Sequence, residues 1–128
     1  MAMNDLTASL GVSASGMRAQ ATRLRHVAEN IANADTPGYR RKTVPFMEEG
    51  DDGRVQTGQV QLDQSDLPLV YDPSHPLADE TGHYNGSNVN AILEIADSRE
   101  AQRSYEANLK MFDQARRMSS ALLDLLRR

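Results

Sequence analysis

The stretch from Val89 to Arg128, VNAILEIADSREAQRSYEANLKMFDQARRMSSALLDLLRR, contains neither glycine nor proline. Such a run predicts one continuous helix, with Asn88 or Asn90 as candidates to cap its first turn. At 1.5 Å per residue it spans ~55 Å, too long for a compact globule of 128 residues. Ala101, Tyr105, Asn108, Phe112, Ala115, Ser119, Leu122 and Leu126 step by alternating fours and threes, the spacing that holds one stripe against a partner helix. Met111, Met118 and Leu125 repeat every seven residues to one side of that stripe and Leu109 flanks the other. The apolar sector therefore covers about half the circumference or more, which one partner helix cannot cover.

Upstream, the chain supplies one such partner. From about Asp5 to Ala34 the residues Leu10, Ala14, Met17, Ala21, Leu24, Ala28 and Ile31 follow the same alternating spacing. Large side chains alternate with alanines, where a neighbouring backbone can approach closely. Gly11 and Gly16 each cost a helix about 1 kcal/mol relative to alanine, so this segment depends on its partner. It ends near Asn33: in Asp35-Thr36-Pro37-Gly38-Tyr39 the residue before proline is pushed out of the α region, and Gly38 stands where a type II turn needs positive φ.

Between the helices, residues 40 to about 88 lose helical periodicity. Thr43-Val44-Pro45-Phe46 reads as extended, Glu49 to Gly53 as a turn, and Val55, Val60 and Leu62 alternate with polar residues, so a hairpin is expected, then a looser extended segment through Leu67–Tyr71. Asp72 to Pro76 and Gly82 to Ser87 are rich in turn formers. Residues 44–88 carry nine acidic side chains and one basic, whereas residues 1–43 carry six basic and three acidic, and residues 89–128 seven basic and six acidic. The expected fold is mainly α: residues 1–39 and 89–128 form an inner coiled-coil domain of two long pairing helices, and residues 40–88 a small acidic arm of β-hairpin and extended chain. Since two helices and an arm leave apolar surface exposed, neighbouring copies or related chains are expected to complete the core.

Composition narrows the function. The chain has 128 residues, 39% apolar and 5% aromatic, with no tryptophan and two phenylalanines, a thin filling for a private core. No cysteine is present, which removes disulfides, thiolate metal sites and cysteine nucleophiles together. No apolar run approaches the roughly 18 residues of a membrane span, and the first residues lack the pattern of a cleaved signal peptide. With a pI near 5.3, the only basic cluster, Arg40-Arg41-Lys42, reads as a solvated strand start, and no nucleic-acid partner is expected. His75 and His83 lie among turn residues with Asp72, Asp79 and Glu80 but without metal-ligand spacing, His26 reads as a surface residue, and Glu48 to Asp52 lack the ligand alternation of a calcium loop. Ser9, Ser13 and Ser15 lie in no nucleophile elbow. No catalytic residue, cofactor or metal is expected. The Ala-rich apolar faces without aromatic anchors favour helix pairing over insertion into lipid.

Ala28-Glu29-Asn30-Ile31-Ala32-Asn33-Ala34-Asp35-Thr36-Pro37-Gly38-Tyr39-Arg40 closely resembles the signature that ends the N-terminal helix of bacterial flagellar rod and hook proteins. Its matching residues are Asn30, Asn33, Thr36, Pro37, Gly38 and Tyr39; the two asparagines can bond backbone groups as the helix ends. Within that superfamily Val70 to Asp79, Asn88-Val89-Asn90 and Ala101 to Asn108 are similar to the C-type proximal rod family. The resemblance implies a structural subunit of the basal-body rod that polymerises through its terminal helices into a tubular shaft, transmitting torque and enclosing the export channel. It implies export by the flagellar type III apparatus without a cleaved signal and residence in the periplasm-spanning rod. The implied partners are copies of itself, other rod proteins, rod-ring junction proteins and the membrane-embedded ring. Assembly is expected to rest on Leu10, Met17, Leu24 and Ile31 of the first helix and on Tyr105, Asn108, Leu109, Phe112, Met118 and Leu122 of the second, with the helices largely disordered until assembly. The compact Thr36–Tyr39 turn also resembles the B-type rod protein, and a helical binding adaptor or export chaperone is the alternative of another class.

Overall fold

Alternating fours and threes on two segments separated by turn formers give two helices with a β arm between them. A computed structural model describes residues 2–127, with helix α1 (Ala2–Ala32), strands β1 (Lys42–Thr43), β2 (Phe46–Glu49), β3 (Arg54–Thr57), β4 (Gln61–Leu62), β5 (Leu69–Tyr71) and β6 (His83–Asn85), and helix α2 (Ala91–Leu126). The helices pack antiparallel: Asn30 meets Glu94, Gly16 meets Asn108, and Leu6 lies near Leu122. Asn90, with extended backbone, caps α2 by accepting from the N–H groups of Ile92 and Leu93 at 3.1 and 3.4 Å. Asn88 is thereby left to a different role. At the end of α1 the Tyr39 N–H donates to the Thr36 carbonyl at 3.2 Å and Gly38 sits at φ 76°, a type II turn. A Cβ at Gly38 would meet nothing within 4 Å, so Gly38→Ala is expected to cost ~1–2 kcal/mol through backbone strain alone, read as a lower thermal midpoint with an unchanged helix signal.

The arm is one long hairpin and one short one. In the first, β2 pairs with β3 from Phe46↔Thr57 to Glu49↔Arg54, turning through Gly50 and Gly53 at φ 71° and 84°. Its base, β1 with β4, pairs Lys42↔Leu62 and Thr43↔Gln61. Pro45 interrupts the ladder because it has no N–H, and there Gly58, Gln59 and Val60 oppose Val44 and Pro45, a one-residue bulge. The Gly58 N–H still reaches the Pro45 carbonyl at 2.9 Å. The second hairpin, Leu69↔Asn85 to Tyr71↔His83, was not expected, since residues 83–85 sit in a stretch of turn formers. Asp79 organises it, its Oδ1 accepting from the N–H groups of Thr81 and His83 at 2.9 and 3.1 Å, so the loop folds back and aligns the strands.

Along α2 the heptad stripe from Ala101 to Leu122 is buried or half-buried, but Leu126, past the first turn of α1, is exposed. On α1 the covered line runs one residue earlier than the large-residue spacing indicates. Ser13, Gly16, Arg23, Val27 and Asn30 turn inward, while Ala21, Ala28 and Ile31 are exposed. The cause is that α1 has two neighbours, and its small residues mark where they come closest. A Cβ at Gly16 would lie 2.7 Å from Asn108 Oδ1 on α2, and one at Gly11 2.5 Å from an Arg54 guanidinium nitrogen on β3. Among the described residues the buried apolar core is Ala19, Val27, Ala101 and Ala115. The chain exposes 8849 Å², about 30% more than the roughly 6,700 Å² of a compact monomer of this mass.

Candidate functional site: a polar latch beneath open apolar faces

Asn30 is wholly buried and uses its full hydrogen-bonding capacity. Its amide nitrogen donates to the Lys42 carbonyl (2.9 Å) and to Glu94 Oε2 (3.3 Å); its Oδ1 accepts from the Lys42 N–H and the Tyr39 hydroxyl, both at 2.9 Å. One side chain thus pins the chain reversal, β1 and α2 to the end of α1. Asn33 closes the helix end, donating to the Glu29 carbonyl at 2.9 Å and accepting from the Thr36 hydroxyl at 3.0 Å. The Gly38 N–H reaches the Asn85 carbonyl at 3.1 Å, tying the turn to the second hairpin. Asn30 with Tyr39, and Asn33 with Thr36, are therefore brought together, while Pro37 and Gly38 shape the turn between them.

Glu94, also wholly buried, pairs through Oε1 with Arg41 Nε and accepts from Asn30 through Oε2. Arg41 lies 3.8 Å from Asp97, which also pairs with Arg23; Arg23 is 3.5 Å from Glu100. Burial opposes the charge on Arg23, yet Asp97 and Glu100 together raise its affinity for its proton above the ordinary value. Lys42 stands 2.5 Å from Glu29, and this hydrogen bond raises the lysine pKa and lowers the carboxyl pKa. Arg40 donates to the carbonyls of Asp63 and Ser65 at 3.0 and 2.9 Å. The Arg40-Arg41-Lys42 triplet is therefore not a solvated strand start, because each cation has a partner across a chain crossing. Asn88 completes the crossing, accepting from the Arg41 N–H at 2.7 Å and donating to the Asp63 carbonyl at 2.9 Å. His26 is likewise not a surface residue: with a side chain 12% exposed, it lines a cleft with Arg23, Arg41, Lys42 and Asp97.

Three carboxylates are held below their usual range: Glu29 by Lys42, Asp63 by the Ser65 N–H and hydroxyl, and Asp79 by the Thr81 hydroxyl and the His83 N–H. A lowered folded-state pKa stabilises the fold above the unfolded value and ceases to do so as pH falls through the folded one. The thermal midpoint is expected to stay flat from about pH 7 to 5 and to decline below about pH 4.

On one side of the helix pair Ala14, Met17 and Ala21 face Tyr105 and Phe112 across an open groove of about 300 Å³. On the other, Leu6, Met118, Ala121, Leu122 and Leu125 line a more apolar groove of about 520 Å³, with Asp5 at its edge. Leu10, Met17, Leu24, Tyr105, Asn108, Phe112 and Leu122 are half-buried in or beside the seam, whereas Ile31, Leu109 and Met118 are exposed. Ser15 docks the first hairpin, donating to the Val12 carbonyl at 2.8 Å and accepting from the Val55 N–H at 3.0 Å. The His75 ring stacks on Tyr84 with centroids 4.0 Å apart, and its Nδ1 accepts from the Leu77 N–H at 3.1 Å, so this imidazole serves its own loop. Among the described residues no group of three or more His, Asp and Glu side chains is placed to hold a metal ion, and no helix is long and apolar enough to cross a membrane.

The sequence pointed to neither Glu94, Arg23 nor Asp97, and it suggested other roles for Arg41, as part of a solvated strand start, and for Asn88, as a helix cap. Glu94 alone left a signal: it stands seven residues before Ala101, in phase with Asn108, Ala115 and Leu122, a charge on a stripe that points inward.

The family described as "Flagella basal body rod protein" matches residues 10–40, which cover most of α1 and the turn after it. The family described as "Flagellar basal body rod FlgEFG protein C-terminal" matches residues 80–125, covering β6 and almost all of α2. The flagellar basal-body rod protein FlgC of Agrobacterium fabrum is 45% identical, with 98% of each chain covered. Those of Aquifex aeolicus and Salmonella typhimurium are 34% and 33% identical, covering 86% and 89% of this chain and 89% and 92% of their own.

Proposed function

The chain belongs to the FlgC family of flagellar basal-body rod proteins, and from that premise we propose how it builds the rod. It is a structural subunit of the flagellar basal body. In this reading it occupies the proximal rod, where residues 1–39 and 89–128 form the inner wall around the export channel and residues 40–88 an acidic arm outside it. It transmits torque mechanically and catalyses nothing. It reaches the periplasm-spanning rod through the flagellar export apparatus without a cleaved signal, and contacts copies of itself, other rod proteins, rod-ring junction proteins and the membrane-embedded ring. No nucleic acid, cofactor or direct lipid insertion enters this reading.

The observation that carries it is the uncovered half of the apolar sector on α2: Met111, Met118 and Leu125 remain 56%, 51% and 61% exposed after α1 has packed. Such a face needs further helices. Leu10, Met17, Leu24 and Ile31 together with Tyr105, Asn108, Leu109, Phe112, Met118 and Leu122 are the residues we assign to assembly. Phe112→Ala is expected to abolish incorporation into isolated basal bodies and swimming, with far less effect on the free subunit; normal incorporation and motility would overturn this assignment. The free subunit, despite its thin core, is expected to unfold cooperatively in urea, because Asn30 and Glu94 join α1, β1 and α2 within one chain. Absence of the chain from isolated basal bodies would instead favour a self-sufficient adaptor.

A further inference from the structure

Two exposed surfaces lie away from the helix seam and differ in sign. The first is on the second hairpin. Leu69 and Tyr71 share one face of β5 by strand alternation and are 68% and 67% exposed; Leu77, in the loop joining β5 to β6, is 63% exposed. The same loop carries Asp72, Asp79 and Glu80, and the sequence holds no lysine or arginine between Arg54 and Arg99. The second surface is at the start of α2, where Ile92, Ile95 and Ala96 line an open groove of about 660 Å³ with Arg99, Glu100 and Arg103. Ile92 is 78% exposed, and Glu100 already faces Arg23. Arg99 and Arg103 are exposed and form no ion pair among the described residues.

We propose that these surfaces are mates: the acidic apolar plate of one copy seats in the basic apolar groove at the start of α2 of a second copy. This deepens, and rests on, the rod reading above. Charge selects the pairing. Plate against plate would juxtapose Asp72, Asp79 and Glu80 with their own counterparts and no cation, and groove against groove would oppose Arg99 and Arg103 with themselves. Plate in groove joins apolar centres and pairs opposite charges at the rim. Because the two patches are different surfaces of one chain, the contact is heterologous: each copy engages one neighbour with its plate and another with its groove, and the array grows instead of closing as a dimer.

The chain has no cysteine, so introduced pairs report directly. Basal bodies are isolated from cells producing Leu77→Cys, Ile95→Cys or the double variant, oxidised gently and run without reductant. Each single variant is expected to stay monomeric, and the double variant to give a ladder extending beyond dimers. A dimer from either single variant, or an unlinked double variant present in the basal bodies, overturns the proposal. Immunoblotting of the wild-type chain in the same preparations tests the rod reading separately, since its absence there would defeat that reading first. Arg99→Glu with Arg103→Glu is expected to lower incorporation at least tenfold, with recovery when Asp72→Lys and Glu80→Lys are added to the same chain. Incorporation unchanged by the first pair, or not recovered by the second, also overturns the pairing.

Discussion

Glu94→Ala is expected to lower the stability of the free subunit by about 3–5 kcal/mol, the cost of removing one member of a buried, hydrogen-bonded ion pair. The loss spreads because Glu94 joins two systems. Arg41 would keep only Asp97, 3.8 Å away and already paired with Arg23, and Asn30 would lose an acceptor in a site with no exposure. A free chain with four buried apolar residues among those described has little with which to absorb such a loss, since whole domains are stable by only about 5–15 kcal/mol. The measurement is the urea midpoint, with protease resistance of residues 40–88 as a local readout. Replacing the pair together, Glu94→Leu with Arg41→Leu, is expected to recover much of the stability because no uncompensated charge remains. A Glu94→Ala midpoint equal to that of the parent would mean that the latch does not hold the arm to the helices.

The helices, the turn and the first hairpin were legible because each leaves a local signature: alternating fours and threes, a proline followed by a glycine in a type II turn, and a glycine-flanked acidic tip. The inward line of α1 was not, since spacing counts large residues and here the closest approaches fall at Gly11, Ser13, Ser15 and Gly16. Their neighbours, Arg54 and Asn108, come from distant segments. The second hairpin escaped for the same reason: His83-Tyr84-Asn85 has no strand pattern of its own and is ordered by the Asp79 carboxylate and by pairing with β5. The motif residues were legible as a helix stop, but what Asn30 holds was not, because three of its four partners belong to Tyr39 and Lys42 beyond the turn and the fourth is Glu94 on the other helix.

Met118→Glu is expected to leave the unfolding free energy of the free subunit in urea within about 0.5 kcal/mol of the parent and to abolish both rod incorporation and swimming. The separation follows from where the side chain stands. Met118 is 51% exposed in the single chain, so a carboxylate there can remain hydrated, and α1 and α2 keep the same contacts. In the rod reading a neighbouring helix covers the groove formed by Leu6, Met118, Leu122 and Leu125, and the same carboxylate would be stripped of water with only Asp5, another acid, at the edge. Burying an unpaired charge costs several kcal/mol, and the cost recurs in every subunit of a polymer, so partial loss at one contact becomes complete loss of the shaft. Met118→Leu, which keeps the apolar volume, is expected to incorporate and swim normally. If Met118→Glu assembled as well as the parent, this face would be open to water in the rod, and the neighbouring helix would have to lie across Met17, Tyr105 and Phe112 on the opposite side of the pair.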